Sequence, residues 1–270
     1  IHFISLDASE SDRSPTGPML TWLQADLAAN TQPWVIAFWH QPPYSKGPHD
    51  SDTEIELIEM RQNALPVLEA GGVDLVFAGH SHDYERSVLL DGHYGTSDTL
   101  TGSMIRDAGD GREAGSGAYR KPSPGPAPHE GAVYTVAGSG GAHGGSGGDC
   151  GPRNHPVMRT SLCSNGSVVL DVTGNRLDGT FLDSTGAIGD YFTLIKGGPL
   201  PPSALTATPV SSIQILLTWT DQALDEEGFE IERALNGSGF TLLATVGTNV
   251  TSYTDTGLTA SQPYAYRVRA

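Results

Sequence analysis

The rhythm of apolar and polar positions changes three times along this chain. In residues 1–7, IHFISLD, the two kinds alternate and stop at an Asp, which predicts a strand running into a loop. Residues 17–30 place Leu20, Leu23 and Leu27 on one helical face, with Pro18 at the start and Asn30 and Pro33 marking the stop. WVIAFWH (34–40) is apolar almost without a break, the pattern of a strand covered on both faces. Residues 54–70 read as a second helix interrupted near Pro66, and GVDLVFAGH (72–80) as another buried strand. Strand, helix, strand, helix, strand predicts a parallel α/β sheet with helical crossovers.

From 87 to 196 the strands become shorter, with candidates at 87–90, 132–137, 167–173, 177–182 and 190–196, several of them antiparallel. The Gly/Ser/Pro-rich stretches 95–131 and 138–156 predict long loops. KGGPLPPSALTATP (196–209) reads as a Pro-rich linker. SIQILLTWT, GFEIERAL, FTLLATV, TSYTDTGL and PYAYRVRA then alternate as short strands of a β-sandwich, with Trp219 in its core and Tyr264 as a corner tyrosine. Residues 201–270 resemble a fibronectin type III module whose last edge strand would follow Ala270. The expected organisation is a first domain over 1–198 and a sandwich over 199–270.

Composition narrows the partners. With 31 acidic against 15 basic residues, the formal charge of −16 repels nucleic acid and anionic lipid. It also repels phosphate esters, unless bound cations reverse it locally. No run approaches the roughly 18 apolar residues of a membrane span. Cys150 and Cys163 flank a short loop that one disulfide would close in an exported protein; two unpaired thiols are the alternative.

The candidate chemistry lies where apolar runs end. His40 closes one, and His80 closes the other with His82 two residues on. A strand places residues i and i+2 on the same face, with Cα atoms roughly 6.5 Å apart, so His80 and His82 are expected to point the same way. That spacing is wide for one ion but suits two ions about 3.5–4 Å apart. The carboxyl ends of parallel strands are also where open α/β sheets place their sites. A histidine after a strand is ordinarily a loop residue making one hydrogen bond, so the three together carry the reading.

VIAFWHQPPY followed by GVDLVFAGHSHDYERS resembles the last two signature motifs of calcineurin-like metallophosphoesterases, and the GHxHxYER form is that of the purple acid phosphatase branch. GAVYTVAGSGG, the stretch from GSVVLDVTGN to FTLIKG, and the opening LDASE with WLQADLA resemble the same branch. The resemblance covers about residues 1–198. It implies an α/β class, the C-terminal half of a metallophosphoesterase sandwich, followed by the incomplete all-β fibronectin-like sandwich. It implies that His40 and His80 bind a divalent metal and that His82 binds the other, iron paired with zinc, manganese or iron. It also places His49 near the substrate phosphate, where a loop histidine is the plain alternative. Asp50 stands where some relatives have a second histidine.

The branch implies phosphate ester hydrolysis, phosphomonoesters first, with diesters or nucleotides as the alternative. A non-catalytic module with a vestigial metal site and a sandwich that contacts a surface polymer is the reading from another class. The resemblance takes its remaining ligands, aspartates and an Asn–His pair, from earlier motifs. Neither GDYF (189–192) nor RNH (153–155) matches them, so the chain reads as a fragment that is catalytically weak alone. Tyr84 and Arg86 are candidates to anchor the ligand imidazoles, with plain packing equally open. Asp83 is expected to face away, His143 to bind nothing, and Asp171, Asp178 and Asp183 to be solvated. Few of the basic residues are lysine (Lys46, Lys121 and Lys196), and with the appended sandwich this suggests a secreted bacterial protein.

Overall fold

The computed structural model describes residues 1–144, 150–152, 154–199, 201–223, 226–235 and 237–270. Two compact units form, Ile1–Gly197 and Gly198–Ala270.

In the first unit, strand β1 (His2–Ser5), helix α1 (Pro18–Ala29) and strand β2 (Val35–Phe38) open the chain. Helix α1 has Pro18 in its first turn, where the missing N–H costs nothing, and Asn30 stops it in an extended conformation. Next come α2 (Ile55–Glu59), a π-helical turn over Met60–Ala64, and α3 (Leu65–Ala70). The expected interruption near Pro66 is thus a π segment: proline at the start of α3 has no N–H to give to the preceding turn.

Strands β3 (Leu75–Ala78), β4 (Tyr84–Ser87), β5 (Leu89–Leu90), β6 (Ile105–Asp107), β7 (Tyr119–Lys121), β8 (Val133–Ala137) and β9 (Met158–Leu162) follow. A hairpin series β10 (Gly166–Thr173), β11 (Arg176–Asp183) and β12 (Ile188–Lys196) completes the unit. The first sheet runs β1-β2-β3-β8-β4-β9, parallel from β1 to β8; the second runs β10-β11-β12-β7.

Period-two alternation sorts the central strands between two cores. Val35, Ala37 and Val76 join Leu20, Leu23 and Leu68 on the helix side. Ile36, Leu75 and Val133 join Leu177, Phe192 and Leu194 of the second sheet. The apolar run at 34–40 therefore is covered on both faces, except at its end. There Phe38 is 43% exposed and Phe3 beside it 60%.

Two lysines knit the layers. Asp74, just before β3, accepts Lys121 Nζ at 2.6 Å and Lys196 Nζ at 3.0 Å, and all three side chains are wholly buried. The same carboxylate accepts the Val35 amide, so β2, β7 and β12 meet at one group.

The second unit holds β13 (Ser203–Ser211), β14 (Gln214–Thr220), β15 (Phe229–Leu235), β16 (Thr241–Val246), β17 (Ser252–Thr256) and β18 (Tyr264–Arg269). They form two three-stranded sheets, β13-β14-β17 and β16-β15-β18, around Leu217, Trp219, Phe229 and Ile231. Tyr264 accepts the Thr259 amide at 2.9 Å, the expected corner. One expectation fails. Residues 203–209 are strand, not linker, because β13 pairs with β14 along its length despite Pro209 at a register shift.

Candidate metal centre

The site lies just past the carboxyl ends of β2 and β3. The Gly79 amide donates to the His40 carbonyl at 2.9 Å, tying the two strand exits together. His80 then takes φ = +63°, a left-handed conformation rare for a residue with a Cβ. Tight turns follow, with Ser81 N donating to Gly79 O and Asp83 N to Ser81 O. This corrects the extended i, i+2 geometry expected for His80 and His82. The strand stops at Ala78, and the turn sends the two side chains to different surroundings.

His80 Nδ1 stands 3.2 Å from His40 Nε2, with the rings edge to face. On its other side His80 stacks on His49, ring centroids 3.7 Å apart. Both rings turn toward one carboxylate. Glu54 lies 2.9 Å from His49 Nδ1 and 3.4 Å from His80 Nε2, and it accepts the Asp50 amide at 2.9 Å. Burial opposes ionisation of Glu54, but the Asp50 amide and the two rings hold its carboxyl below the usual value. Burial, followed by the neighbouring His49 and His40 rings, lowers the basicity of His80 against the pull of Glu54.

The loop carrying His49 and Glu54 is pinned from beneath. The buried Arg61 guanidinium donates to the carbonyls of Pro43 at 3.0 Å and Ser51 at 2.5 Å. Tyr44 donates to the His93 carbonyl and packs on the buried His93 and His155 rings. Burial pushes His155 down to about 3, so it is a neutral packing group at any working pH. Gly47 lets this loop approach the next, since a Cβ there would come within 2.4 Å of Asp83 Oδ2 and 2.5 Å of Ser81 Oγ.

Sequence reasoning placed His40, His80 and His49, and the structure brings these three together. His82 is exposed; its carbonyl accepts the Gly144 amide at 2.6 Å, and its ring bonds to no described residue. Asp50 faces Lys46 at 2.6 Å. Asp83 is buried behind the loop. Cys150 and Cys163 are joined in a disulfide, and His143 lies beside it. Tyr84 and Arg86 touch none of the imidazoles. Tyr84 Oη donates to Asp190 at 2.8 Å and Arg86 Nε donates to it at 2.6 Å, with Arg112 completing a buried knot. Glu54 was missed. The available signal was a carboxylate opening a helix on the same short loop as His49, a place where acidic side chains are common for helical reasons alone.

The donor set fits a cation. Tetrahedral coordination at the usual 2.0–2.1 Å nitrogen–zinc distance sets ligand atoms roughly 3.4 Å apart. The 3.2 Å between His40 Nε2 and His80 Nδ1 meets that spacing without rearrangement. Glu54 supplies the carboxylate that metal-binding histidines ordinarily find on their far nitrogen.

Comparison with known proteins agrees with this chemistry. Residues 2–84 match the family model of calcineurin-like phosphoesterases. Purple acid phosphatase 18 of Arabidopsis thaliana is 36% identical over 130 residues, covering 46% of this chain and 28% of that protein. An uncharacterized protein of Mycobacterium tuberculosis is 38% identical over 89 residues, 32% of this chain and 16% of its own length. Exoglucanase B of Cellulomonas fimi is 39% identical over 95 residues, 32% of this chain and 8% of its own. Among solved structures, the yellow lupin purple acid phosphatase PPD1 superposes with a TM-score of 0.56 at 19% identity, over 72% of this chain and 31% of that one. The superposed parts share a fold. The chain thus spans less than a third of these relatives.

Proposed function

From a chain that carries a calcineurin-like phosphoesterase domain with purple acid phosphatase relatives, we propose metal-dependent hydrolysis of phosphate esters, phosphomonoesters first. The observation that carries this is the His40–His80 nitrogen pair at cation-sharing distance, with Glu54 and His49 beside it. His40 and His80 would hold one ion, and His82 would turn inward to a second. Bound there, the ions would neutralise the phosphoryl oxygens and acidify a water.

The remaining work falls to the chain. His49, steadied through Nδ1 by Glu54, leaves Nε2 as the nitrogen that takes up a proton and, from the imidazolium so formed, gives it to the departing alkoxide. The cations must also overcome the acidic field of a chain with 31 acidic against 15 basic residues, which repels a dianionic substrate. Lys46 cannot help much, because Asp50 and Asp52 both hold it.

Among the described residues Glu54 is the one carboxylate grouped with these imidazoles. Alone, the 270-residue chain is therefore expected to turn over slowly. The test is release of p-nitrophenol from the mono- and the bis-ester, in metal-replete buffer, by a polypeptide that carries these residues with a carboxylate-bearing partner segment. His80→Ala should abolish turnover of the favoured ester. Equal rates for His80→Ala and the parent would sink the reading. Faster bis-ester hydrolysis would move the substrate class to diesters.

A second reading has one specific support, the similarity to Exoglucanase B. In it the sandwich contacts a surface polymer and the imidazoles are vestigial. Retention on insoluble glucan that survives His80→Ala, with no turnover of either ester, is its signature. A secreted bacterial setting fits the disulfide and the relatives of Mycobacterium and Cellulomonas.

A further inference from the structure

The Glu54 carboxylate faces more donors than any other group at the site. Asp50 N reaches Oε1, His49 Nδ1 reaches both oxygens, and His80 Nε2 reaches Oε2. A neutral imidazole carries one proton, and the hydrogen bond made by one nitrogen decides what the other can do. A carboxylate accepts and does not donate, so each ring must keep its proton on the nitrogen that faces Glu54.

We propose that Glu54 is a positioning residue that fixes the tautomers of both imidazoles at once. His80 is held as the Nε2–H form, which leaves the Nδ1 lone pair facing His40 Nε2 across the 3.2 Å gap. His49 is held as the Nδ1–H form, which leaves Nε2 open on the side away from Glu54. The stacking of the two rings, 29° from parallel, keeps both edges turned to the same acceptor.

The two assignments are opposite, and that is the informative point. An unpartnered imidazole in water favours Nε2–H, so His80 follows the intrinsic preference whereas His49 goes against it. One side chain thereby divides two adjacent histidines into a ligand and a proton carrier. The inference deepens the phosphoesterase reading and rests on it for this chemical consequence, while the tautomers themselves can be read without metal or substrate.

The experiment is long-range nitrogen–proton correlation NMR on the metal-free chain, at a pH where both rings are neutral. The expected result is Nδ1–H for His49 and Nε2–H for His80. In Glu54→Gln one amide oxygen must serve the Asp50 amide and both rings, so His49 should revert to Nε2–H. Because the amide oxygen can still accept from Asp50, the loop should keep its backbone bond. Zinc affinity, read by chelator competition, should fall about 10–100-fold in this variant, the usual effect of losing a carboxylate behind a histidine ligand. Glu54→Asp should restore part of it.

An Nε2–H form of His49 in the parent, or an unchanged His49 in Glu54→Gln, overturns the proposal. So does a loss of zinc binding in Glu54→Gln as complete as in His80→Ala, since that would make Glu54 a direct ligand. A chain with the expected tautomers that binds no zinc would instead refute the metal reading and leave this one standing.

Discussion

The GHSHDYERS stretch feeds two polar clusters, each with a carboxylate among its donors, and finished in opposite ways. Behind the sheet, Asp190 is wholly buried and accepts Tyr84, Arg86 and Arg112, so its charge is answered by two guanidiniums. At the strand exits, His40, His80, His49 and Glu54 are part-exposed, and two ring nitrogens face each other across 3.2 Å. The first cluster has a donor for each acceptor and holds β4 to β12. The second has nitrogens to spare. A polar group in a fold's interior must be satisfied, whereas one that serves a ligand is left needing it.

The sharpest way to break this contrast is to remove Asp190. Asp190→Ala strands two cationic side chains, Arg86 among them fully buried, and should cost about 3–5 kcal/mol in denaturant unfolding. A loss near that of an ordinary surface substitution would show the knot to be ornamental.

Glu69 sharpens the contrast from another side. It is as buried as Asp190 but receives only neutral donors, Tyr134, Tyr94 and the Gly92 amide. Burial therefore wins, pushing its carboxyl up to about 7. A folded value above the unfolded one means that the native state keeps a proton the unfolded chain releases. Its stabilisation is full below about pH 4.5 and fades as the pH rises to about 7, a swing of about 3 kcal/mol. Melting followed across that window should show the decline, and Glu69→Gln should remove it relative to the parent.

The smallest effect is expected at the imidazoles. His80→Ala in the metal-free chain removes a part-exposed ring with incomplete hydrogen bonding and relieves a left-handed φ only slightly. Stability should change by no more than about 0.5 kcal/mol. A large loss would mean that His80 belongs with Asp190, as structure before function.

How much of this was legible depended on the distance over which each interaction acts. His40 and His80 were readable because each follows an unbroken apolar run, and a buried strand has to surface somewhere. The strand geometry assumed for His82 was wrong because a glycine and a left-handed His80 end the strand earlier, and short-range sterics of that kind leave no hydrophobic signature. Asp190 sits 104 positions from Arg86, so no local pattern could pair them. Strand β13 was hidden by Pro209, by the prolines just before it and by its exposed surface, since an edge strand needs hydrogen bonds more than apolar residues. The Tyr84 and Arg86 alternatives resolved to packing for the same reason: their partner is distant in sequence and near in space.

The pairing of Asp74 with two ammonium groups has a practical corollary. Lys121 and Lys196 are sealed inside the first unit, so of the ε-amines only that of Lys46 reaches solvent, beside the loop that carries His49. Acylating reagents applied to the folded chain should mark Lys46 before the other two lysines, and slowly, because Asp50 and Asp52 keep its ammonium protonated. A dye could thus be installed next to the candidate cation site with no engineered cysteine.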